Sequence, residues 1–211
     1  SFCFIAVTPA NAQSLKIVTI DESKIVANIE KLVTNAYQSI GIDIEVILLP
    51  AGRSLYEASH SEWVDGELAR VQSVEDSLID YVRIPVPLLE VSVVAITLDK
   101  GIHISSWNDL TKYRTSTVRG LKGIEILLKT HGVNGVNATT KATQAFNLLI
   151  KKRVDVVILP NLIAVKFLAD INAHRALYSS ELERFPLFHY IHKRHIALIP
   201  SLTEALKQSL Q

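Results

Sequence analysis

Arginines beside glycine turns are the first chemistry this chain offers. Arg119 and Gly120, with Gly123 shortly after, stand where a β-rich stretch, 113–118, gives way to a helical one. The first turn of a helix has N–H groups without partners and the positive end of the helix dipole, so such a turn favours an anion. Thr117 adds a hydroxyl there. Arg70 follows Asp65-Gly66 at the end of another β-rich stretch. A guanidinium in that place can hold a carboxylate through two parallel hydrogen bonds, or pair on the surface with Glu67 or Glu75. Asp21 and Glu22 end the first β-rich run, where they could take an ammonium or, with Ser23, cap the following helix. Arg53 and Ser54, with Glu57 one turn on, open the helix after the second such run.

Other chemistries find less support. The chain has no G-x-S-x-G elbow and no G-x-x-x-x-G-K-[ST] loop. Gly132 and Gly135 make no dinucleotide fingerprint, and no paired carboxylates stand in an acid–base setting. His189, His192 and His195 alternate around Lys193 and Arg194 with no carboxylate in view, so they read as a solvated basic edge and not as metal ligands. Asp65-Gly66 reads as a tight turn, Asp155 as a support for the loop before its strand, and Trp63 and Trp107 as packing. No cofactor and no metal are expected, and the chain reads as a binder, not an enzyme.

The elements that must position these residues alternate. The runs 15–20, 42–49 and 64–71 read as strands, with a helix over 24–40 ended by Gly41 and a shorter one over 52–61. This is a βαβαβ order, which implies parallel strands and right-handed crossovers. Pro85 and Pro87 interrupt the middle, before the apolar run 91–98. Alternation then resumes, with strands at 113–118, 136–138 and 154–159 and helices at 106–110, 120–131, 141–151 and 161–169. A strand at 185–192 and a helix at 201–210 end the chain. Two α/β units joined by a long strand-like stretch fit this order, and a single doubly wound sheet is the alternative.

The 211 residues are 48% hydrophobic and 20% charged, a globular balance. A net charge of +1 argues against nucleic acid as partner. The apolar run 2–7 followed by Ala10-Asn11-Ala12 has the form of a signal peptide cut before Gln13. Residues 1–12 are therefore expected to be the remnant of a leader whose first residues are missing. Removing them removes Cys3, the one cysteine, and a periplasmic location follows. No later run approaches the about 18 apolar residues of a membrane span.

Four stretches together resemble the type II periplasmic solute-binding proteins, in particular the family-3 group named for amino-acid uptake. They are the 64–70 segment VDGELAR, Ser106-Trp107-Asn108-Asp109-Leu110, the 115–123 segment TSTVRGLKG and the 151–158 segment KKRVDVVI. The resemblance covers nearly all of 15–211. It implies an α/β fold of two lobes, each a mixed sheet flanked by helices, with two hinge crossings near 91–98 and 179–186. Lobe 1 would be 13–93 plus 185–211, and lobe 2 would be 94–184. A small carboxylate or zwitterion would be held in the cleft by hinge closure. The resemblance also brings in Arg83, near the place of the family's carboxylate-clamping arginine, and Asn161, where the family often sets a polar ligand contact. Departures are plain: no aromatic follows the first strand, and Lys152 replaces the glycine of the family's G-r-v-D motif.

Three roles follow for such a fold. One is a monomeric binding protein serving an ABC-type permease. Another is a receptor acting on a membrane sensor. The third is a dehydratase-like enzyme using Asp21 or Glu22 with a lysine.

Overall fold

The computed structural model describes residues 14–21, 23–172 and 176–211. The expected leader, 1–12, and Glu22 lie outside the described residues. No described helix is long and apolar enough to cross a membrane.

The first unit runs β1 (Leu15–Ile20), α1 (Ser23–Ser39), β2 (Ile44–Leu49), α2 (Ala51–His60) and β3 (Gly66–Val71). Ile29, Val33, Ala36 and Tyr37 recur at helical spacing in α1 and are all buried. The long strand β4 (Tyr81–Thr97) leads into the second unit: β5 (Thr115–Val118), α3 (Lys122–Thr130), β6 (Asn137–Thr139), α4 (Ala142–Ile150), β7 (Val156–Pro160) and α5 (Asn161–Asn172). The second long strand, β8 (Tyr178–His192), returns to the first unit, and α6 (Ile199–Ser209) closes the chain.

All eight strands form one mixed sheet in the order β2-β1-β3-β8-β4-β7-β5-β6. Its two halves are distinct because β4 and β8 exchange places. In the first half β8 pairs with β3, and β4 is the outer strand; in the second, β4 pairs with β7 through Val93–Ile96 and β8 is the outer strand. The two long strands pair antiparallel throughout, from Tyr81↔His192 to Thr97↔Tyr178. Each half has its own apolar core. Ile17, Val33, Leu68, Ile84 and Leu202 anchor one; Ile96, Leu110, Phe146 and Ile158 anchor the other. The strands around β1 and β5 are parallel, as the alternation requires.

Several expectations are corrected. Pro85 and Pro87 do not break the chain but lie within β4, on its exposed side. There β4 is an edge strand, where proline's missing N–H costs no ladder bond, and the register shifts on both sides of Pro87. Asp65-Gly66 is not a turn. Gly66 begins β3 in a slot where a Cβ would meet Ile17 Cδ1 at 2.7 Å and the Tyr190 carbonyl at 2.9 Å. The histidines are not a solvated edge either. His195 Nε2 lies 2.6 Å from Asp65 Oδ1, and Arg194 Nη2 lies 2.8 Å from the same oxygen. Trp107 is buried as expected, but Trp63 is exposed, with Lys16 over its ring. Asp155 does support its loop: both its oxygens accept from the Arg114 side chain, and Oδ2 also accepts from the Arg114 backbone N–H.

His189 is fully buried. Its Nδ1 faces the Leu68 carbonyl at 3.2 Å, so Nδ1 bears the proton and Nε2 accepts from the Tyr37 hydroxyl at 2.8 Å. Burial pushes the imidazole from its ordinary value of 6.5 down to about 4. A depressed pKa stabilises the fold above 6.5, and that contribution is lost as the pH falls towards 4. The loss amounts to roughly 3 kcal/mol. Urea titrations of the native chain and of His189→Gln between pH 7 and pH 4 test this. The variant is expected to start less stable and to lose less on acidification. Equal losses in both proteins would show that His189 is not the titrating group.

Candidate functional site

The C-terminal ends of the parallel strands in the two halves face one another, the position in which open α/β sheets bind ligands. Between them is a cavity of about 140 Å³. The first half contributes Thr19 and Ile20 from the end of β1, and Leu68 to Val71 from β3. The second half contributes Leu121, Lys122 and Gly123 from the start of α3, and Pro160, Leu162 and Ile163 where β7 meets α5. Val91, Val93, Phe185 and Leu187 of the two long strands close it between the halves.

The halves touch beside this cavity. Gly120 has φ +87°, a conformation that favours glycine. A Cβ there would lie 2.2 Å from the Gly52 backbone nitrogen, so α2 and the β5–α3 turn meet main chain to main chain. A Cβ on Gly123 would lie 2.9 Å from Val71 Cγ2.

A β-bulge builds the polar part of the wall. In a regular strand, residues 67 and 70 would point to opposite faces. The pairing of β3 with β8 advances from Glu67↔Tyr190 to Arg70↔Phe188, three residues against two. The extra residue turns the strand, and the two side chains meet. Arg70 Nε donates to Glu67 Oε1, and the Ser54 hydroxyl lies 3.1 Å from both Glu67 oxygens. Glu67 and Ser54 are 0% exposed and Arg70 is 5% exposed. Burial pushes the Glu67 carboxyl above its ordinary range, against the pull of Arg70 and Ser54. Arg70 Nη2 is buried and without a hydrogen-bond partner among the described residues. The Arg70–Glu67 pairing weighed from the sequence therefore exists, but in the interior and not on the surface.

The other residues singled out from the sequence lie apart from this wall or are engaged elsewhere. Arg53 is exposed and reaches Glu57 at 3.3 Å. Arg83 pairs with Glu75 at 3.1 Å and covers the Phe188 ring at 4.5 Å. The Thr117 hydroxyl donates to the Ile158 carbonyl at 2.8 Å, inside the sheet. Arg119 is exposed and reaches the Ala138 carbonyl. Asn161 Oδ1 accepts from the Ser92 N–H at 3.3 Å, tying α5 to β4. Asp21 is exposed, its backbone N–H bonded to Leu49. The Gly120 N–H donates to Glu125 Oε1 at 2.7 Å. The burial of Glu67 and the apolar wall were not foreseen, since nothing in an alternating apolar pattern separates a cavity wall from a packed core.

A larger depression of about 830 Å³ lies at the other end of β1 and β3. Its Asp65, Arg194 and His195 serve one another. Partial burial pushes the Asp65 carboxyl up, but the Lys16 N–H, His195 and Arg194 together hold it below the ordinary range. No cluster of three or more His, Cys, Asp or Glu among the described residues could hold a metal ion.

No protein-family model matches the chain. A Shewanella oneidensis protein described as uncharacterized is 27% identical over 188 residues, covering 86% of this chain and 70% of that one. Among structures, the arginine-bound Gly52Ala mutant of the T. maritima arginine-binding protein superposes with a TM-score of 0.75 at 15% identity, over 92% of this chain and 95% of that one. The arginine-, lysine-, histidine-binding protein ArtJ of Geobacillus stearothermophilus gives 0.72 at 17% identity, over 93% and 89%. An ancestral amino acid-binding protein, a precursor of cyclohexadienyl dehydratase, gives 0.70 at 13% identity, over 92% and 88%.

The buried pair yields a stability prediction. Arg70→Met leaves Glu67 buried without its counter-charge and is expected to cost about 3–5 kcal/mol, whereas the double variant Glu67→Met/Arg70→Met regains most of it. Urea unfolding measures both. A single variant as stable as the native chain would mean that the pair is not buried as described. Across the described residues, the chain has the fold of the two-lobed periplasmic binding proteins.

Proposed function

We propose that the chain is a solute-binding protein that takes a small carboxylate or zwitterion into the cleft and closes over it. The observation carrying this reading is Arg70: a nearly buried guanidinium, with one nitrogen unpartnered, in the wall of a cavity between two halves. Glu67 supplies one counter-charge, and the donor left over stays costly unless a further acceptor meets it. The names of the structural neighbours, arginine- and amino acid-binding proteins, point the same way.

The lobes are then 13–93 plus 185–211, and 94–184. A register shift in the β4–β8 ladder, between Val93↔Glu183 and Val94↔Glu181, supports a hinge at that boundary. A bulge is where a ladder bends with least disruption. The apolar run 2–7 and Ala10-Asn11-Ala12 support export to the periplasm. There the bound form would be handed to a permease or read by a membrane sensor.

A thermal-shift screen over carboxylates, amino acids, sugars and polyamines tests the reading. A ligand at one hundred times its Kd adds about 2.7 kcal/mol, which raises the midpoint by roughly 5–10 °C for a chain of this size. Leu162→Trp, which fills part of the cavity, is expected to cut the shift several-fold. Silence across the whole panel, or a shift unchanged in Leu162→Trp, would remove the cleft from consideration.

A further inference from the structure

The walls of the cavity allow its occupant to be narrowed, given that the cleft binds a solute at all. We infer that the ligand is a short aliphatic monocarboxylate without an α-amino group. Arg70 and Lys122 are the ionisable residues among the described lining residues, and both are cations. Lys122 already pairs with Glu125 at 2.7 Å and is half exposed. Arg70 keeps a buried, unpartnered Nη2. The start of α3 joins the same wall at Lys122 and Gly123, adding a helix N-terminus on the side of the second half. Both cations already have carboxylate partners, Glu67 and Glu125, so what the wall leaves over is the spare donor of Arg70, and an anionic acceptor satisfies a guanidinium donor best.

The described walls carry no negative charge to set against an ammonium. No carboxylate is among the described lining residues, and Glu67 behind them is engaged by Ser54 and Arg70. Asp21, expected from the sequence to meet an ammonium, is exposed and not in the wall. An α-amino group brought into this space would be a buried charge without a counter-charge among the described residues. Thr19 and Ser73 are the uncharged side chains with hydroxyls in the wall, and most of the remainder is aliphatic: Leu68, Val91, Leu121, Leu127, Leu162 and Ile163. Such a surface favours a hydrocarbon body. The volume, about 140 Å³, is close to that of an apolar cavity of about 150 Å³ that accepts benzene. A body of about six heavy atoms fits.

Calorimetric titration of the full chain with matched compounds tests the inference. Butyrate, pentanoate and 4-methylpentanoate are compared with 2-aminobutyrate, norvaline and leucine, and with butyramide, pentanamide and 4-methylpentanamide. The carboxylates are expected to bind at least tenfold more tightly than either partner series. Each added methylene should tighten binding about threefold to fourfold until the cavity is full. Leu162→Ala should move the optimum to longer chains without touching the buried ion pair. Arg70→Gln should lose carboxylate binding, read only if its circular dichroism matches the native chain.

Amino acids binding as well as the carboxylates would overturn the ligand class while leaving capture in the cleft intact. Amides binding as well would show that no anion is held. If no compound in the three series binds, the ligand class fails. Capture itself then fails only if the wider solute panel is also silent.

Discussion

One antiparallel ladder makes this molecule a single object with two centres. β4 and β8 pair along their whole length, and each is an inner strand in one half and an outer strand in the other. Neither half could complete its sheet without both. Since the ladder is the joint between the halves, its register determines which strand ends come face to face. Those ends, at Ile20, Val71 and Pro160, are where the cavity lies. The same arrangement accommodates two prolines in a long strand, because they fall where that strand has no neighbour on its outer side.

The site depends on a second local irregularity. Without the extra residue between Glu67 and Arg70, those side chains would stand on opposite faces of β3, and the guanidinium would have no counter-charge in the interior. Ion pairs in such places seldom add net stability compared with well-packed apolar residues. On the proposed function, the unused nitrogen of this pair is what an incoming solute would meet. His189 lies opposite the bulge, and its bond to the Leu68 carbonyl occupies a backbone acceptor there.

Much of the architecture was legible because it rests on short-range patterns. Apolar periodicity located the helices to within a few residues, and β-branched runs located most strands, including the fully buried Val156–Leu159 of β7, but the two long strands run well beyond the expected 91–98 and 185–192, over Tyr81–Thr97 and Tyr178–His192. The motif order supported two lobes. One departure from that pattern carries a backbone cost: Lys152, in the glycine position of the motif, has φ +54°, the left-handed region glycine occupies without strain. What was not legible depends on long-range partners. Arg53, Arg83 and Arg119 resemble Arg70 in the sequence. Glu57, Glu75 and the Ala138 carbonyl engage the first three outside the cavity, and only three-dimensional proximity reveals that. His195 and Asp65 are 130 positions apart and still form one cluster. A bulge leaves no composition signal, so the meeting of Glu67 with Arg70 in the interior was equally hidden.

The contact of Gly52 with Gly120 has a mechanical meaning. It involves backbone alone, so no rotamer can soften it or take up slack. It sets a hard floor on the spacing of the two rims at that corner, independent of whatever sits inside. A single methyl at position 120 would act as a wedge, enlarging the enclosed space without altering any residue that lines it. The dimensions of this chamber are thus governed from its lip, by two residues that have no side chains.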